Sequence, residues 1–237
     1  EAGLNIVTVT YVYVAKTYPA KGDKPERPNP NYALLQKIMN GKTVVGNGMD
    51  EALKVRLNPS FGVNDFLNRD GEMVSAKRLE GGFVNILTTP LPEKESDRNK
   101  FKHNVLIYGT QLVEADGERV KDDYLVVKTY VFNYANVAMP IEFHVKSEGG
   151  IAYFQSLEAS NSNPIFTNVW GQIVSSTVTY KKEVDSSTIA FGEAQVEERT
   201  RTTREWIITG ATSENFEIGD AQTGITADEI KEGLAAR

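Results

Sequence analysis

Few side chains in this sequence are of the kinds that carry out covalent chemistry. Cysteine is absent, which removes thiolate nucleophiles, disulfides and cysteine-based zinc sites together and fits a reducing cytosol. Two imidazoles remain, His103 and His144. His103 lies between Lys102 and Asn104, and His144 between Phe143 and Val145. Neither setting gives metal-ligand spacing or a nucleophile-base pair, so both read as ordinary strand residues. Gly46-Asn47-Gly48 follows Val44-Val45, but Glu51 stands where a dinucleotide fingerprint needs its third glycine. No Walker lysine motif, paired-carboxylate signature, EF-hand loop or Gly-x-Ser-x-Gly elbow occurs. The chain therefore reads as a binding protein and not an enzyme, with no catalytic residue, metal or cofactor assigned. Its scattered carboxylates leave a hydrolase as an alternative.

Residues suited to non-covalent recognition are concentrated in two places. Side chains alternate across a strand, so residues 124–134 place Tyr124, Val126, Lys128, Tyr130, Phe132 and Tyr134 on one face and Leu125, Val127, Thr129, Val131 and Asn133 on the other. If the aliphatic face packs inward, the outward face pairs aromatics with a lysine, as a platform for bases and phosphate requires. The alternative is a strand buried on both sides, with the aromatics as core. In the second place, Arg199 and Arg201 share one strand face while Arg204 and Trp206 share the other. Arginine beside tryptophan suits cation-π packing or base stacking. The alternative is a solvated hairpin whose arginines neutralise Glu197, Glu198 and Glu205.

The elements that must position these residues are mostly strands. Residues 4–15 are dense in β-branched and aromatic side chains and predict a strand. The proline-rich stretch from Tyr18 to Pro30 predicts an exposed loop that does not pair. Asn29 as cap, Pro30 at the first position, the apolar stripe Leu34, Leu35, Ile38 and the stop at Gly41 predict a short helix. Residues 42–90 read as short strands and turns punctuated by glycines, and 90–100 as a long loop. Further strands are expected over 103–114, 124–134, 141–146, 151–157, 166–180 and 204–209, with a turn at Ala115-Asp116-Gly117-Glu118. Thr226 and Glu229 form a capping box ahead of a terminal helix. With no βαβ alternation and no internal repeat, the pattern is an all-β barrel or sandwich with extensions. We expect one β domain over residues 1–212 and an acidic C-terminal segment with a short helix over 213–237.

Charge supports a division of roles. The net charge is −6, yet residues 1–182 hold 21 basic against 20 acidic side chains, and residues 183–237 hold 5 against 12. A near-neutral body can still present a basic groove, since the field depends on where charges cluster. No apolar run reaches the roughly 20 residues of a spanning helix, and Glu1-Ala2-Gly3-Leu4 does not begin a secretory signal.

The stretch from Ser147 to Ser176, with its Ile-Ala-Tyr-Phe-Gln and Asn-Val-Trp-Gly-Gln runs, resembles phage-encoded single-stranded DNA-binding proteins. So does Glu-Glu-Arg-Thr-Arg-Thr-Thr-Arg-Glu-Trp-Ile-Ile-Thr-Gly-Ala at residues 197–211. The resemblance implies an elaborated OB-type barrel, with long loops and few short helices, that coats single-stranded DNA through aromatic stacking and a basic groove. It also implies cytoplasmic work in DNA replication or recombination, in the host cytoplasm for a phage chain, and an acidic C-terminal region recruiting replication proteins. On this reading Tyr124, Tyr130, Phe132, Tyr134 and Trp206 stack on bases, and Lys128, Arg199, Arg201 and Arg204 meet phosphates. A structural or virion-associated β-sandwich protein is the rival reading.

Overall fold

The computed structural model describes residues 5–115, 122–133, 135–183, 196–213, 216–219 and 224–236. The elements in chain order are β1 (Val9–Thr10), β2 (Thr17–Tyr18), β3 (Arg27–Pro28), α1 (Pro30–Met39), α2 (Val44–Asn47), β4 (Val55–Leu67) and β5 (Met73–Ile86). There follow β6 (Lys100–Val113), β7 (Tyr124–Phe132), β8 (Ala138–Val145), α3 (Glu148–Ser156), β9 (Ile165–Glu183), β10 (Val196–Ala211) and α4 (Ala227–Ala235). They fall into two compact units, Glu1–Val7 with Asn99–Tyr130 and Glu142–Thr226, and Thr8–Arg98 with Val131–Ile141 and Ala227–Arg237. These bounds do not follow the expected division between residues 212 and 213.

The first unit is built on a closed five-stranded barrel in the order β10-β8-β7-β6-β9. β6 pairs antiparallel with both β7 and β9, β9 pairs antiparallel with β10, and β10 runs parallel to β8. Chain order 1-2-3-5-4 around a closed barrel is the all-β, OB-like architecture expected. Alternation explains it locally: Val105, Leu125, Val127, Phe143 and Val169 are each fully buried, and each such side chain contributes about 1.5 to 3 kcal/mol. Phe143 anchors the interior, stacked on Phe101 with centroids 5.1 Å apart and tilted against Trp206 at 6.1 Å. Beyond the pair Lys100↔Gln172, where β6 stops pairing with β9, β9 and β10 continue as a two-stranded ribbon to Glu183↔Val196.

In the second unit β4 and β5 form one long hairpin, with β1 parallel to β5. The two strands are 13 and 14 residues long where short strands were expected. Gly81 and Gly82 do not end β5. They take left-handed φ of 60° and 85° opposite the register shift between Asn58 and Ser60, so a bulge absorbs them. α1 starts as predicted, with Asn31 N–H donating to the Asn29 side chain at 3.0 Å. Its Asn31 amide then ties the helix to β5, donating to Gly82 O and accepting from Val84 N–H.

Other expectations are corrected. Of the described residues in the expected strand over 4–15, only Val9 and Thr10 join a ladder, and Val12 and Tyr13 are exposed; strand propensity alone does not make a ladder. Pro28 does pair, opposite Thr17 at the end of a two-residue ladder. Of the expected strand over 151–157, residues 151–156 are helical and form most of α3, with Leu157 as its C-cap and Phe154 buried one turn after Ile151. The turn expected at residues 115–118 falls largely outside the described residues. In the C-terminal segment Phe216 N–H donates to Phe166 O at 2.8 Å, and Ile225 is buried.

Candidate functional site

The strand singled out from its alternation is β7. Its exposure alternates without a break from Tyr124 to Phe132: Leu125 and Val127 are fully buried and Val131 nearly so, while Tyr124, Val126, Lys128, Tyr130 and Phe132 are half-exposed. The aliphatic face fills the barrel and the aromatic face points away from it, which decides between the two packings the sequence left open.

Neighbouring strands extend this face. Tyr130 stacks on Tyr108 of β6, centroids 4.5 Å apart and planes at 28°. Tyr124 leans on His144 of β8 at 4.7 Å. The His144 ring shares a hydrogen bond with Glu205 through Nδ1 at 3.2 Å, and Lys146 Nζ donates to the other Glu205 oxygen at 2.8 Å. The hydrogen bond from His144 holds the Glu205 carboxyl down to about 2, helped by Lys146 and opposed by burial. Glu205 is therefore anionic at neutral pH and anchors the two basic side chains beside Tyr124. Lys128 lies opposite Gly109, whose position has open space above it. The result is a wall of three tyrosines and a histidine with Lys128 and Lys146 among them.

Tyr108 and Lys146 were not singled out from the sequence, and His144 was read there as an ordinary strand residue. For His144 and Lys146 the signal was present, since Glu142, His144 and Lys146 alternate with Ile141, Phe143 and Val145. Tyr108 sits in the register shift between Ile107 and Gly109, where simple alternation loses phase.

The other expected residues separate. Phe132 lies against α4: a side-chain carbon at Gly233 would come within 2.8 Å of the Phe132 ring, so this aromatic packs against a helix. Trp206 is 6% exposed and faces Phe143, which corrects its assignment to an open stacking surface. Arg204 shares its strand face but is exposed, because its partner Ser175 lies on the ribbon beyond β6. Arg199 and Arg201 occupy the same ribbon, opposite Tyr180 and Val178, and their side chains lie outside what is described, as does Tyr134 altogether. Register also sets Lys181 opposite Glu198 and Lys182 opposite Glu197.

Two further features among the described residues bear on chemistry. Burial lowers the pKa of His103 and keeps it neutral. A pocket of about 310 Å³ between α3 and β10 is lined by Val145, Ser147, Gly150, Tyr153, Phe154 and Ile208 to Ala211 with Ser213, a lining without any acid-base pair. Among the described residues no group of three or more His, Asp or Glu could hold a metal. Among them, too, no helix is long and apolar enough to cross a membrane.

Fold and site together define a closed all-β barrel protein whose β6–β7–β8 wall carries an outward aromatic and basic face. By sequence the chain belongs to the YorF family, whose model matches residues 6–234. No curated protein matches it.

Proposed function

We propose that this chain is a sequence-independent single-stranded DNA-binding protein that coats its ligand stoichiometrically, without a cofactor and without catalysis. The observation that carries this reading is the one-sided burial of β7, which leaves Tyr124, Lys128 and Tyr130 half-buried on the outer face of the barrel wall. Unpaired bases stack on Tyr124 and on the Tyr108–Tyr130 pair, and each stacked base contributes about 1 to 3 kcal/mol. Lys128, Lys146 and Arg204 meet phosphates, while Glu205 holds Lys146 in place. On this reading Arg199 and Arg201, carried by the β9–β10 ribbon, add further phosphate contacts. In OB-type barrels the second and third strands and the loop between the last two bind oligonucleotides, and here these are β7, β8 and the β9–β10 ribbon. Such a protein serves DNA replication or recombination in the cytoplasm, that of the host for a phage-encoded chain, with replication proteins as partners.

A structural assembly protein is supported by a different surface, the tip of the β4–β5 hairpin, where Leu67 and Met73 are 64% and 68% exposed. Titrating labelled oligo-dT and a duplex of equal length at two salt concentrations separates the two. Binding that prefers the single strand and weakens steeply with salt supports coating. Equal or absent binding, with self-association on raising protein concentration, supports assembly.

A further inference from the structure

The barrel has a second exposed aromatic, on a different wall. Trp170 of β9 is 40% exposed, whereas its strand neighbours Val169 and Gly171 are buried. Its cross-strand partners are Lys102 of β6 and Gly210 of β10. The indole occupies the space over Gly210: a side-chain carbon there would fall 2.5 Å from Trp170 Nε1 and Cζ2. Glycine at 210 is what lets the ring settle onto the sheet, and the ring's position is fixed before any ligand arrives. Lys100, exposed and opposite Gln172, lies on the same face of β6 as Lys102. On the other side, Asn168 donates to Asn104 at 2.7 Å.

An indole laid over a glycine can be no more than a cover for exposed backbone, an aromatic rescue of a sheet glycine. Two features point further. The ring keeps a large open surface, although burying an indole is among the most favourable uses of this side chain. Two lysines stand beside it on the face where a nucleotide's phosphates would run. A ring held rigidly costs little further entropy on binding, and an aromatic surface bordered by lysines is what a base and its backbone require.

We propose that Trp170, Lys100 and Lys102 form a second single-stranded DNA contact, on the β6–β9–β10 wall and separate from the tyrosine wall of β7. The proposal rests on the single-stranded DNA reading above. β6 contributes to both contacts, Tyr108 to one and Lys102 to the other, so a single strand following β6 meets both.

The chain's two tryptophans make the test direct, since Trp206 is buried and Trp170 is open. Oligo-dT is titrated against the full chain while its anisotropy and the protein's tryptophan emission are followed together. The expected result is quenching of emission in step with binding, lost in Trp170→Phe, which keeps Gly210 covered. Trp170→Ala should weaken binding by about 5- to 100-fold, and Lys102→Ala should lower the slope of log affinity against log salt by about 0.7. If anisotropy reports binding while emission stays constant and Trp170→Phe binds as the unaltered chain does, the second contact is overturned and the tyrosine wall stands. If no oligonucleotide binds at all, both readings fall.

Discussion

Tyr130 and Tyr108 lie ring on ring across β7 and β6, centroids 4.5 Å apart, on the outside of the barrel. A tyrosine pair in that position has only part of its surface used by the fold, while the residues between, such as Thr129 and Val131, are sealed inside. Outer-wall and inner-wall substitutions should therefore fail in different assays.

On the inner wall, Trp206→Ala removes a buried indole packed against Phe143. It should cost about 3 to 5 kcal/mol of folding free energy through lost burial and the cavity left behind. A denaturant melt reads this directly, and an unchanged midpoint would place Trp206 on a surface after all.

Phe132→Ala should behave as a packing mutant despite sharing the outward face of β7, because its ring meets Gly233 of α4. The expected loss is about 1 to 3 kcal/mol of stability, with the folded protein keeping its affinity for oligo-dT. Weakened binding with normal stability would return Phe132 to the stacking surface.

Acid should weaken the fold in a defined window. The Glu205 carboxyl, ordinarily near 4.5, is lowered to about 2 by its hydrogen bond to His144 and by Lys146. A group with a depressed folded pKa gives stability that is present above its unfolded value and lost as pH falls through the folded one. The contribution is thus intact above pH 4.5 and disappears as pH falls toward about 2. Melts of Glu205→Gln across that range should show a flatter pH dependence than those of the unaltered chain, and parallel curves would mean the pair contributes nothing.

Truncation after Thr212 should unfold the protein. The segment supplies Phe216, whose ring lies 5.7 Å from that of Phe166, and the buried Ile225. Circular dichroism of the truncated chain shows this, and a folded product with the stability of the unaltered chain would contradict it.

Much of this was legible because alternation is a strong local signal where one face is sealed. Leu125, Val127 and Val131 were set apart from Tyr124, Lys128 and Tyr130 as the two faces of β7, and the fold decides that only the first set is sealed. Asn29 and Pro30 announced α1 just as directly. What failed to show depends on partners distant in sequence. Nothing near Phe132 says that Gly233 will cover it, and nothing near Trp206 says that Phe143 will. Residues 151–156 have β-branched and aromatic character yet form most of α3, since helical spacing of Ile151 and Phe154 outweighs a weak propensity. The glycines at 81 and 82 look like a turn but are absorbed as a bulge of β5, two residues facing the single Pro59 of β4.

The most direct measurement of the central claim is the affinity of Tyr130→Ala for oligo-dT, taken beside its denaturant midpoint. The outward wall predicts a loss of about 1 to 3 kcal/mol in binding with a midpoint close to that of the unaltered chain. Unchanged affinity in a protein that has lost stability would contradict it, and would make the tyrosines of β7 packing residues alone.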